Sequence, residues 1–231
     1  MVTVLKIRSS IVLQLLAINI VVFILQQIIP GLTSTFMVAG LDSLARPWTL
    51  FTAMFLHGSF VHLLFNMYVL FMFGPLVEQA LGRTRFLYLY FASGLLASLA
   101  AVFFYDAAVG ASGALMGVIG AVIVFFPHLK VLFFFVIPMS MRTAGIIFAA
   151  IDLFGTFNPS STIAHWAHLA GLGSGVLYSL YLKQKAVRFK KAFSARSKPF
   201  SQPKRTSSNK YEDTIELSKD DLDRYYKYGR L

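Results

Sequence analysis

The chain has 231 residues, of which 57% are hydrophobic, 15% aromatic and only 13% charged, with a formal net charge of +11. Water-soluble domains of this length are rarely so apolar, and roughly 20 apolar residues suffice for a helix to cross a bilayer, so composition points away from a soluble enzyme and toward a polytopic membrane protein. The absence of cysteine excludes disulfides, thiolate catalysis and cysteine-ligated metals.

The first apolar block, residues 11–29, follows Lys6 and Arg8. It is longer than the roughly 7–15 residues of a signal-peptide core and no convincing cleavage site follows, which predicts a retained membrane helix. Residues 30–58 read as a long loop containing Pro30, Gly31, Pro47 and Trp48. Its Leu50, Phe51 and Phe55 are apolar, so it is expected to dip into the membrane interface. Further helices are predicted at 59–77, 84–105, 112–127, 142–157 and 165–182, making an all-α bundle of six spans. The segment 128–141 is apolar but interrupted by Pro138, and is expected to lie along the inner surface.

Residues 183–231 hold 14 of the 21 basic side chains and 6 of the 10 acidic ones, a net +8. The predicted organisation is a membrane domain over 1–185 followed by a basic, polar, flexible cytoplasmic tail over 186–231. Lys6, Arg8, Arg83, Arg85, Lys130, Arg142 and the tail fall on one side of the predicted membrane, and Arg46 alone falls on the other. The excess of basic residues marks the inner side, which predicts a multi-pass protein of the cell membrane with both termini cytoplasmic. A lipid bilayer is the expected surrounding, and nothing suggests a nucleic-acid partner. The lack of an internal repeat weighs against an inverted-repeat transporter.

Ionisable groups inside membrane helices are costly and by default mark function. The second, fourth and sixth predicted helices all run inward from the outer face. His57, His62 and Asn66 at the start of the second, Ser112 at the start of the fourth and His168 in the sixth therefore share one depth in the outer leaflet. Gly113/Gly117 and Gly171/Gly175 form two G-x-x-x-G pairs, a spacing that lets helix backbones approach closely. If the two helices meet along these faces, the His168 imidazole reaches the Ser112 hydroxyl.

A serine hydroxyl becomes a useful nucleophile when a base accepts its proton, a role suited to neutral histidine. Attack on a peptide carbonyl also needs donors in place for the oxyanion. His62 and Asn66, one helical turn apart, together with the Ser112 backbone N–H, are the candidates. Asp42, Asp106 and Asp152 are the outer-side acids and read as loop or helix-end groups, leaving a Ser–His dyad. Ser112 alone would be read as a small packing residue; the matched depth of His168 and Asn66 favours the nucleophile. His165 reads as a structural or interfacial histidine, and His57 as either a loop-ordering or a cavity-lining one. A metal site built from His57, His62, His165 and His168 is disfavoured because no acidic ligand accompanies them.

The segments His57-Gly-Ser-Phe-Val-His62-Leu-Leu-Phe-Asn66-Met67, Gly110-Ala-Ser112-Gly113 and Ala167-His168-Leu-Ala-Gly171-Leu-Gly-Ser-Gly175, in this order, resemble the rhomboid family of intramembrane serine proteases over roughly residues 8–182. Gly74, Glu78 and Gly82 resemble that family's cytoplasmic-side pattern. The resemblance implies a six-helix fold with a membrane-associated first loop. It also implies a nucleophile at Ser112, a base at His168, oxyanion stabilisation by His62 and Asn66, and no cofactor or metal. The implied substrates are single-span membrane proteins cut near the outer ends of their helices, often after a small residue, with the first loop and fifth helix bordering substrate entry. Two positions depart from the pattern: Thr49 follows Trp48 where the family often has arginine, and Met116 stands where many members carry an aromatic four residues after the nucleophile.

An intramembrane serine endopeptidase is therefore the leading expectation. The competing classes are a non-catalytic binder of membrane proteins with the same fold, and a transporter or channel using buried histidines.

Overall fold

The computed structural model describes residues 10–133 and 136–196. The expected tail beyond Arg196 lies outside the described residues, as does the basic segment before Ser10. Six principal helices occupy the predicted places: α1 (Ile11–Ile28), α4 (Phe60–Leu81), α5 (Arg83–Phe104), α6 (Ser112–Phe125), α7 (Met141–Gly155) and α8 (His165–Arg196). The architecture is an all-α polytopic membrane bundle. By length and apolarity α1, α4 and α5 can each cross a bilayer unaided. They turn large apolar side chains such as Leu13, Val21, Phe65 and Phe71 outward, as lipid-facing helices do.

The start of α1 is fixed by an acid from another helix. Ser10 caps α1 through its hydroxyl, which accepts from the Val12 N–H at 3.2 Å. Glu78 of α4 accepts from the Ser10 hydroxyl at 2.6 Å and from the Ile11 N–H at 3.1 Å. A carboxylate there satisfies orphan amide donors and faces the positive end of the helix dipole. Gly74 gives α1 its closest approach, since a methyl group at that position would lie 2.8 Å from a Val12 methyl. Gly82, at φ 78°, then turns the chain directly from α4 into α5 in a conformation that side chains disfavour. The Gly74, Glu78 and Gly82 pattern thus joins three helices at one end of the bundle.

Helix α6 occupies the centre. Ten of its 14 residues are buried, against four of 18 in α1. Added methyl groups on Gly113 and Gly117 would strike Ala97 and Ser93 of α5. On the other side, methyl groups on Gly171 and Gly175 of α8 would run into the main chain of Gly113 and Gly117 respectively. The two G-x-x-x-G pairs therefore face each other across parallel helices, as their spacing predicted.

The long loop between α1 and α4 is built from short helical turns: α2 (Leu32–Phe36), a 3-10 turn at Gly40–Leu44, α3 (Thr49–Thr52) and a second 3-10 turn at Ala53–Phe55. Leu41, Leu44, Trp48 and Phe51 are exposed on it, which suits a loop resting in the membrane interface. Thr49, fully buried, donates its hydroxyl to the Arg46 carbonyl at 2.7 Å and so closes the turn from within.

Two segments differ from the predicted pattern. Residues expected to lie along the inner surface form an antiparallel hairpin, β1 (Lys130–Phe133) with β2 (Ile137–Ser140), in which Pro138 stands opposite Leu132. A proline is tolerated because each strand is an edge. Helix α8 also continues to Arg196, past the helix end expected at 182. Residues 183–196 contain Lys, Gln, Ala and Arg but neither Gly nor Pro, so nothing local stops the helix.

Gly171→Ala is expected to destabilise the protein by about 1–3 kcal/mol, because its new methyl meets main-chain atoms that cannot swing aside. Gly173→Ala, where an added Cβ meets nothing within 4 Å, should not. Thermal melting of the two variants in detergent distinguishes them, and equal melting temperatures would refute the backbone contact.

Candidate active site

Ser112 begins α6, so its own N–H has no partner within the helix. The segment that delivers it is pinned to the first loop. Val38 and Ala108 exchange main-chain hydrogen bonds at 3.1 and 3.0 Å, and the Gly110 N–H donates to the Ala53 carbonyl at 2.9 Å. Gly110 adopts φ 128°, where a side chain is strained, and an added methyl would lie 2.7 Å from the His62 ring. The same methyl would lie 3.7 Å from the Asn66 amide nitrogen. This glycine therefore lets His62 and Asn66 of α4 close over the chain two residues before Ser112. The Asn66 amide nitrogen is buried and has no hydrogen-bond partner among the described residues.

The sixth principal helix supplies the imidazole. Its first turn is held against α5, where the Trp166 N–H donates to the Tyr105 hydroxyl at 2.9 Å and the Trp166 and Phe104 rings stack with centroids 4.7 Å apart. From there His168 places Nε2 2.9 Å from Ser112 Oγ, although 56 residues separate them. This contact was expected from depth and glycine spacing alone. The His168 side chain retains 16% exposure, so the pair is recessed without being sealed from solvent.

Asp152 corrects the sequence reading, which set it aside as a loop or helix-end group and kept only a serine and a histidine. It lies within α7 and is buried, with Oδ1 3.1 Å from His168 Nδ1 and 2.7 Å from His165 Nδ1. The signal was present in the sequence: Asp152 is the one acid inside any of the six predicted helices, and a buried intramembrane acid calls for partners. His165, read as a structural or interfacial histidine, bridges Asp152 and Ser161. It is buried, with Nε2 2.8 Å from Ser161 Oγ, and its ring fills the space beside Gly155 that a side chain would take.

His57, left open between two roles, is a buried loop residue backing His62, with ring centroids 5.1 Å apart in an edge-on arrangement. Its main chain is clamped to α1: the N–H donates to the Gln26 side-chain oxygen at 3.0 Å and the carbonyl accepts from the Gln26 amide at 3.2 Å. Burial first, and then the neighbouring His62, push the His57 imidazole down to about 4, so it is neutral near pH 7. Met116, one of the two departures, is half-buried and packs into the main apolar core.

Beside Ser112 lies a cavity walled by small residues, among them Ala53, Gly94, Ala97, Ala101, Ala164 and Ala167. Its walls carry no charged group.

The model of the Rhomboid domain matches residues 44–185, more than half of the chain and a span that includes His62, Asn66, Ser112, Asp152 and His168. The chain belongs to the rhomboid family. It is 32% identical over 187 residues to the mitochondrial Rhomboid protein 1 of Saccharomyces cerevisiae, covering 76% of this chain and 54% of that protein. It is 35% identical over 151 residues to the Putative rhomboid protease YdcA of Bacillus subtilis, covering 61% and 70% respectively. Similarity to Rhomboid protease GluP of the same organism is 33% over 172 residues, covering 69% of this chain and 32% of the relative. The chain thus spans about half of the yeast rhomboid and a third of the second Bacillus relative.

Gly110→Ala is expected to cost about 1–3 kcal/mol through backbone strain, and more where His62 is displaced. Thermal melting in detergent checks this. A variant as stable as the parent would show that the loop before Ser112 is not confined by His62.

Proposed function

We propose that this rhomboid is an intramembrane serine endopeptidase that cleaves single-span membrane proteins near the outer ends of their helices. The observation that carries the reading is the 2.9 Å contact between Ser112 Oγ and His168 Nε2 inside a membrane bundle. A hydroxyl donating to an imidazole nitrogen is the resting geometry of an activated serine. Two relatives whose names call them proteases support the same reading.

In the proposed reaction His168 Nε2 accepts the Ser112 proton as Oγ attacks the scissile carbonyl carbon. The carbonyl π electrons move onto oxygen, and the resulting oxyanion accepts hydrogen bonds from the Ser112 N–H and the unpartnered Asn66 amide, with His62 as a third donor. The imidazolium then gives its proton to the departing amine, leaving an acyl ester on Ser112. A water molecule repeats the sequence, losing its proton to His168, and releases the carboxyl product. The small-walled cavity beside Ser112 suits a small side chain on the acyl side of the scissile bond. A non-catalytic binder would need neither the serine–imidazole contact nor an orphan donor beside it.

The proposed orientation places both termini in the cytoplasm. Arg83 at the α4–α5 turn and the start of α1 share one end of the bundle, where the Arg83 guanidinium donates to the Gln14 side chain at 2.9 Å. Ser112 begins its helix after α5 has crossed to the other end.

Ser112→Ala and His168→Ala should each abolish cleavage of a reconstituted single-span substrate, read by mass spectrometry of the products. Cleavage at the parent rate by the serine variant would reject the mechanism. Asn66→Ala is expected to lower kcat by about 100-fold or more, the loss typical of an oxyanion donor, with little change in KM. The reverse pattern would remove Asn66 from that role. Because the chain lacks cysteine, Leu41→Cys and Arg83→Cys give a clean topology test: an impermeant thiol reagent should label the first on intact cells and the second only after permeabilisation.

A further inference from the structure

The dyad accounts for one nitrogen of His168; the other faces Asp152. A neutral imidazole carries a single hydrogen, and beside a carboxylate that hydrogen belongs on the facing nitrogen. With Nδ1–H directed at Asp152 Oδ1, Nε2 keeps its lone pair toward Ser112 Oγ, as proton acceptance requires. The opposite tautomer would set an N–H against the serine hydroxyl and a lone pair against the carboxylate. When His168 takes up the serine proton, the same carboxylate lies 3.1 Å from the imidazolium.

The carboxylate is itself held in place. Only 4% of Asp152 is exposed, and a buried anion needs donors to remain charged. His165 supplies the shorter of its two contacts, at 2.7 Å, and is fixed by Ser161 at 2.8 Å and by the space over Gly155. Ser161, His165, Asp152, His168 and Ser112 form one continuous line of hydrogen bonds. It runs from the α7–α8 connection to the nucleophile through three elements of the fold.

We infer that Asp152 is a positioning residue that sets the tautomer of His168 and stabilises its protonated form, and that His165 with Ser161 anchors the carboxylate for this purpose. The inference rests on the Ser112–His168 reading above. It is distinct from a mere staple between α7 and α8, which would support stability and leave the chemical step alone.

The test uses the full chain reconstituted with a single-span substrate. kcat and KM are read alongside fluorophosphonate labelling of Ser112 and thermal melting. Asp152→Asn keeps the shape and removes the charge. It should lower kcat by about 100-fold or more and slow labelling in parallel, with KM and melting temperature nearly unchanged. His165→Gln leaves Asp152 in place without its anchor and should lower kcat by about 10-fold, which keeps the inference testable if the asparagine variant does not fold. Unaltered kcat in either folded variant, with Ser112 still labelled in the parent, would overturn the inference and leave the dyad standing. A parent protein that neither cleaves substrate nor labels at Ser112 would overturn the dyad first and the inference with it.

Discussion

The main-chain contact between α6 and α8 is the constraint on which the site depends. Lipid offers no hydrophobic gain for bringing two apolar helices together, so their association relies on close packing of small residues. Gly113 meets Gly171 and Gly117 meets Gly175, a constant offset that only parallel helices in register can satisfy. Ser112 immediately precedes the first contact on α6, and His168 lies one turn before it on α8. A side chain at Gly171 or Gly175 would press on the main chain of α6, whereas one at Gly113 or Gly117 would strike α5. The 2.9 Å serine–imidazole distance thus depends on the close approach that Gly171 and Gly175 allow α8.

The rest of the architecture serves the two ends of that contact. The first loop supplies a short β-bridge and the Ala53 carbonyl to the segment 108–110, while α4 supplies His62 and Asn66 above Gly110. These elements hold the nucleophile from the side away from α8. Helix α7 contributes through Asp152, which reaches both histidines of α8. The histidines, Asn66, Ser112 and Asp152 are thus gathered at one end of the bundle.

Much of this was legible in the sequence because hydropathy, glycine spacing and topology act along a single coordinate, depth in the membrane. That coordinate sufficed to place Ser112 and His168 together, and to locate all six principal helices. What depth does not encode is rotation about a helix axis. Asp152 faces His168 because of how α7 turns against α8 through the nine-residue connection at 156–164, and no periodicity reports that angle. The hairpin escaped for a different reason. Residues 130–140 lack a glycine or asparagine turn signal, and Pro138 argues against a strand unless both strands are edges. The continuation of α8 to Arg196 was hidden because the end of the apolar stretch was taken as the end of the helix. Propensity and hydropathy part company once a helix leaves the bilayer.

The helix that begins at Ser112 is the shortest of the six principal helices. With 14 residues, α6 is about 21 Å long, whereas the hydrocarbon core is roughly 30 Å thick. A helix of this length is about 9 Å shorter than that core. The chain just before Ser112 forms the loop that His62 and Asn66 cover. The proposed hydrolysis needs water at Ser112, which a sealed bundle would exclude. His168 keeps 16% of its side chain exposed, whereas Asp152 behind it keeps 5%. The imidazole thus has a buried carboxylate at one nitrogen and the Ser112 hydroxyl at the other. That difference favours a proton on Nδ1 and a free lone pair on Nε2.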